Sequence, residues 1–118
     1  MLRTTEIIYI KAIKMHLATQ YKIELKELEM GRRWFPDVEA RYICFWLIDS
    51  LVLDFIATPE RYALIGHFFN NANKNTVRYG LKRIEEDWIK VDKQFSSRFK
   101  EIKHFVELNI LDNEKLDS

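Results

Sequence analysis

From Asp37 to Phe55 the chain carries Val38, Ile43, Cys44, Phe45, Trp46, Leu47, Ile48, Leu51, Val52 and Phe55, with Ile56 just beyond. Wound at 3.6 residues per turn, these side chains leave no broad polar face, so a helix here must be covered on several sides. That requirement constrains everything else: the remaining elements have to wrap it. With only three glycines and two prolines in 118 residues, and apolar residues recurring at helical spacing elsewhere, the elements available for wrapping are helices. The expected class is all-α, a compact bundle of about five to six helices. The longest unbroken apolar run, Tyr42 to Ile48, is far too short to span a bilayer. Cys44, the single cysteine, sits inside that run and reads as a small buried hydrophobe.

The first helix is expected to be capped by Thr4 or Thr5 and to reach about Tyr21. Its apolar face is Ile7, Ile8, Ile10, Ile13, Met15, Leu17 and Tyr21, and Lys11 and Lys14 read as solvated. A short helix over residues 24–28 comes next, ended by Gly31, and Pro36 stands at the entry to the central helix. Between them lie Arg32 and Arg33. Trp34, Phe35 and Pro36 would pin that loop and hold two guanidiniums outward for phosphates or a minor groove, the alternative being a solvated turn. Arg41 is spaced to pair with Asp37 on the same helix. A last helix is expected from about Asp92, with Phe95, Phe99, Ile102, Phe105, Val106 and Ile110 as its stripe. From Glu101 to Ser118 there are five acids and two lysines, so the polar tail (111–118) should point away from any DNA. No repeat or linker interrupts the chain, and residues 1–118 are read as a single domain.

The stretch from Glu60 to Trp88 reads as a helix-turn-helix spanning about 59–90. Thr58-Pro59-Glu60 launches the first helix, whose Leu64, Ile65 and Phe68 face a core with Tyr62 also apolar. Asn70-Asn71-Ala72-Asn73 breaks the helix, since asparagine tolerates left-handed backbone, and Asn73 can cap the second helix of the pair. In that second helix, about 74–88, Val77, Leu81, Ile84 and Trp88 form one buried stripe. Asn75, Arg78, Tyr79 and Lys82 lie opposite, with Lys74 at the leading edge. Between Arg61 and Arg83 there are five Lys/Arg and no acid, in a chain of net charge +1, so the basic charge is local. Gly80 on this helix costs up to ~1 kcal/mol against alanine, which close helix packing would offset.

The order of these motifs resembles the C-terminal DNA-binding domain of the bacterial chromosomal replication initiator (DnaA) family. Tyr21, Ile23 and Leu28 match a Y-x-I-x-x-x-x-L segment, Arg32 and Arg33 a basic loop, and Ala40-Arg41 the entry to a long helix. Ile65, Gly66 and Phe69 match I-G-x-x-F, Thr76-Val77 a T-V pair, and Lys82-Arg83-Ile84-Glu85 the segment after it. The resemblance runs from about Ile7 to Val106 and implies double-stranded DNA as partner. The family's G-G-R-D-H-T-T-V is replaced by Asn70 to Val77, so base reading in the major groove would fall to Asn73, Lys74 and Asn75. Thr76, Arg78 and Lys82 would support it, with Arg32 and Arg33 at the minor groove. Asparagine can pair with adenine and lysine can reach guanine, so a different DNA sequence would be read. Several residues are added between Arg41 and Gly66, lengthening the central helix or the loop after it.

No Gly-rich phosphate loop is present, so no nucleotide binding is expected and the chain reads as a freestanding DNA reader. His16, His67 and His104 are far apart, and Glu101-x-x-His104 is half of a di-metal pattern without its second half. The expected metal, cofactor and catalytic residues are therefore none, and the protein is read as a cytoplasmic, non-enzymatic, bacterial regulator of replication or transcription that binds no membrane. The alternative is a protein–protein interaction module that kept the fold and lost specific DNA binding.

Overall fold

Helix α1 (Thr4–Tyr21), α2 (Leu25–Met30) and α3 (Phe35–Leu47) build the first half of the computed structural model, which describes residues 2–31 and 35–111. Helix α3 runs on without a break through a π-helical turn, Ile48–Val52, closed by the Leu53 N–H donating to the Ile48 carbonyl at 2.8 Å. Then come α4 (Glu60–His67) and α5 (Lys74–Lys82), the latter continued by a π-helical stretch (Arg83–Trp88) into α6 (Ile89–Val91). Helix α7 (Lys93–Val106), extended by Glu107–Leu111, closes the bundle. Among the described residues there is no strand, and no helix is long and apolar enough to cross a membrane.

The all-round apolar segment is the hub: α1, α2 and α5 all pack on α3. Ala40, Ile43, Cys44, Phe45, Leu47 and Ile48 are fully buried, and burial pushes the Cys44 thiol pKa well above its ordinary value. The hub ends sooner than the apolar run does. Phe55, expected inside it, lies in the loop beyond Val52 and is 61% exposed, because the chain turns away at Leu53. Between the end of the hub and α4 the chain forms a loop, 53–59.

Several local expectations are corrected. Helix α1 is capped by Arg3 and Glu6, not Thr4 or Thr5: the Glu6 carboxylate accepts from the Arg3 backbone N–H and guanidinium. Pro59 is the N-cap of α4, not its first residue, and Thr58 contributes no cap. Lys14, expected in solvent, is 5% exposed. Its ammonium ion-pairs with Glu29 of α2, donates to the Phe68 carbonyl at 2.5 Å and lies 4.9 Å from the Phe69 ring centroid. Arg41 is buried against the Gly31 turn, and Asp37 favours its charge from a distance, with no direct ion pair among the described residues. Ile8, Met15 and Phe105, expected on apolar faces, are exposed because the neighbouring elements do not cover them; the Gly31 stop and a last helix from about Asp92 are as expected. Gly31 ends α2 in the left-handed region (φ 80°), and Asp92 caps α7 by accepting from the Phe95 N–H at 3.0 Å.

The far side of the bundle is closed by α7. Glu39 of α3, 3% exposed, accepts from Arg98 at 3.0 Å and from the Tyr21 hydroxyl. At the other end of the same seam His16 stacks on Phe105, ring centroids 4.0 Å apart. Burial lowers the His16 pKa below its ordinary value. The unfolded chain therefore takes up this proton more readily than the folded one. The contribution of neutral His16 is fully present above the unfolded value of about 6.5 and is lost as pH falls through the lower folded value. Glu101 is the acid that lines the same cleft. Urea unfolding from pH 7.5 to 5 should show wild-type stability declining in acid and a flatter profile for His16→Gln; identical profiles would remove His16 from the account.

Candidate nucleic-acid interface

Helices α4 and α5 meet through a turn with little freedom. The Phe68 and Phe69 N–H groups close the end of α4 onto the Ile65 and Gly66 carbonyls at 3.1 and 3.0 Å. Asn70 and Asn71 then take φ of 57° and 56°, the left-handed conformation asparagine tolerates. This doubles the chain back until the Ala72 N–H donates to the Gly66 carbonyl at 2.9 Å. A Cβ on Gly66 would lie 2.0 Å from the Ala72 carbonyl oxygen, so only glycine admits the turn. Phe69, 1% exposed, anchors it edge-on against Phe45 of the hub.

Asn73 begins α5 as its N-cap, its side-chain oxygen accepting from the Asn75 N–H at 2.7 Å. Val77, Leu81 and Ile84 are 0%, 5% and 0% exposed, and Trp88 is half-buried with its ring stacked on Tyr42. Each of the first three contributes ~1.5–3 kcal/mol by burial, a large share of a whole domain's ~5–15 kcal/mol. They therefore fix which side of α5 faces inward. Gly80 lets α5 come close: a Cβ there would meet Tyr42 at 2.7 Å and Phe45 at 2.9 Å.

The outer side holds Lys74, Asn75, Thr76, Arg78, Tyr79 and Lys82, all exposed. At ~100° per residue, Lys74, Asn75, Arg78 and Lys82 share one arc of about 100°, whereas Thr76 sits at the opposite edge beyond Tyr79. Among the described residues, no hydrogen bond or ion pair engages the side chains of Lys74, Asn75, Arg78 or Lys82. Two of the five cations counted in the sequence are spoken for. Arg61 reaches from α4 to Asp49 at 3.1 Å and the Ile56 carbonyl at 2.7 Å. Arg83 pairs with Asp87 at 2.5 Å and lies over Trp88. Burial raises the Asp49 carboxyl pKa, with the Arg61 charge opposing it.

Of the residues expected to form a site, Asn73, Lys74, Asn75, Thr76, Arg78 and Lys82 are thus brought to one end or side of α5. Arg32 and Arg33 lie outside the described residues, as do 112–118 of the tail. The cap occupies the Asn73 oxygen, which leaves Asn75 better able to present both oxygen and NH₂ to one base. Sequence reasoning missed Thr58, Pro59 and Tyr62, which line an open cleft together with Lys74, Asn75 and Arg78. In the sequence Thr58 and Pro59 read as a cap and Tyr62 as apolar packing, and no sequence signal shows that they border α5.

The arrangement is a basic-faced helix-turn-helix in an all-helical bundle. Over 87 residues, 73% of this chain, it is 31% identical to the chromosomal replication initiator protein DnaA of Rickettsia akari (strain Hartford), and the match spans 18% of that protein. No protein-family profile matches the chain, and no solved structure matches it.

Proposed function

We propose that the chain is a double-stranded DNA-binding module related to the C-terminal domain of the replication initiator, without catalytic activity of its own, acting as a small regulator of replication or transcription. Helix α5 enters the major groove with its first turn foremost, as recognition helices do. The observation that carries this reading is the arc of Lys74, Asn75, Arg78 and Lys82, exposed and without partners among the described residues, flanking a stripe buried to 0–5%. Lys74 and Asn75 read base edges, Arg78 and Lys82 grip phosphates, and Asn73 sets the helix end. Arg32 and Arg33 are assigned the minor groove or adjacent phosphates by the motif order alone.

Selection of randomised duplexes by the purified protein should enrich one motif. Lys74→Ala and Asn75→Ala should each relax preference at one or two base pairs by ~1–3 kcal/mol, and Lys82→Ala should weaken binding evenly across sequences. Unchanged preference in the first two variants would sink the assignment of α5. A protein-interaction module is favoured by the loss of Arg61 and Arg83 to acids and by Glu86 and Asp87 beside Lys82. It predicts no enriched motif and a shallow dependence of duplex affinity on salt, where DNA binding predicts about one unit of log-slope per phosphate contact.

A further inference from the structure

The cleft between loop 53–59 and α5 is lined by Thr58, Pro59, Tyr62, Lys74, Asn75 and Arg78. Its volume of about 480 Å³ is that of a small-ligand site, but such sites are walled mainly by apolar side chains. Here the wall offers two hydroxyls, an amide, an ammonium and a guanidinium, with no carboxylate in the lining; Glu60 is exposed next to it. Donors and cations without an acid suit an anion whose oxygens accept several hydrogen bonds. The wall contributed by the loop is also held in place. Arg61, 20% exposed, donates to the Ile56 carbonyl and pairs with Asp49 at the end of the hub, fixing the turn that leads into Thr58 and Pro59.

Resting on the DNA-binding reading above, we infer that this cleft is a seat for one backbone phosphodiester of the duplex, gripped by Thr58, Tyr62 and Arg78, with Lys74 and Asn75 at its edge reading the neighbouring bases. Arg61 is a positioning residue that holds the loop and does not touch the DNA. Loop 53–59 is then a second contacting element, and it sets the register in which α5 meets the groove.

The test uses the selected duplex with single phosphates replaced, one at a time, by neutral methylphosphonates. Wild-type protein should lose about tenfold in affinity at one phosphate flanking the α5 motif, the effect of a charge-assisted contact. The surface variant Thr58→Val/Tyr62→Phe should bind the unmodified duplex about tenfold more weakly and become insensitive to that same replacement, while keeping its base preference. Arg61→Met should weaken binding with the salt slope unchanged; the Thr58/Tyr62 variant stands independently of whether Arg61→Met folds. If wild type and the Thr58/Tyr62 variant share one methylphosphonate profile, the seat is wrong although the protein reads DNA. If no duplex is selected, the functional reading falls first. If inorganic phosphate perturbs these residues while no backbone phosphate proves sensitive, a free anion is the occupant and the duplex assignment is overturned.

Discussion

Gly66→Ala should destabilise the protein by ~2–4 kcal/mol, although alanine inside a helix ordinarily gains up to ~1 kcal/mol over glycine. The added Cβ would fall 2.0 Å from the Ala72 carbonyl oxygen, and that obstacle is backbone, which no rotamer change can move. Either α4 shifts outward or the turn opens, and both break the Ala72 N–H to Gly66 carbonyl bond at 2.9 Å. Opening the turn also withdraws Phe69 from Phe45 and displaces the Asn73 cap on which the first turn of α5 depends. Duplex affinity should therefore fall with stability, and more than the loss of folded protein accounts for. Urea unfolding with a binding titration on the folded fraction checks both. A variant as stable as wild type, or more stable by the helix-propensity gain, would mean that the chain does not cross Gly66 in this way.

Lys14→Met should cost ~2–4 kcal/mol. Removing one partner of a buried ion pair commonly costs ~3–5 kcal/mol, because the other is left uncompensated. Here the lower range applies, since the Glu29 side chain is 33% exposed and water can partly resolvate it. The Phe68 carbonyl at the end of α4 is left without its ammonium donor, and a helix C-terminus is where a cation is most favourable. Methionine keeps the apolar stem, so packing loss is minimised and the charge effect is isolated. Adding Glu29→Met should recover part of the loss, giving a coupling of ~1 kcal/mol or more. Thermal or urea unfolding of the two single variants and the double variant measures it. A Lys14→Met protein with wild-type stability would return Lys14 to the solvent-exposed role its spacing suggests.

Lys14 and Gly66 also show how far the chain could be read unaided. The hub helix, the Gly31 stop, the Asn73 cap, the start of the last helix near Asp92 and the Val77–Leu81–Ile84 stripe were all legible. Each depends on residues within a turn or two of one another, where helical period and capping chemistry act. The exposed face of α5 was legible for the same reason: once the stripe is buried, the remaining arc has to face outward. Lys14 was not, because its partners, Glu29 and Phe68, stand on two other elements. On α1 alone its spacing says nothing of either.

What the amino-acid order determined by itself was therefore the helices, their inward faces and the kinds of side chain α5 presents. Tertiary structure alone decided which charges remain available. Arg61 is drawn to Asp49, Arg83 to Asp87, and Arg98 to Glu39, which also holds Tyr21. Lys74, Arg78 and Lys82 form no ion pair among the described residues. Tertiary structure likewise set Thr58 and Tyr62 beside α5 and turned Phe55 outward. The physical reason is one of range. Periodicity and capping act within a few residues of the chain, whereas Coulomb attraction and burial act between whatever segments the fold brings together, at any separation in sequence.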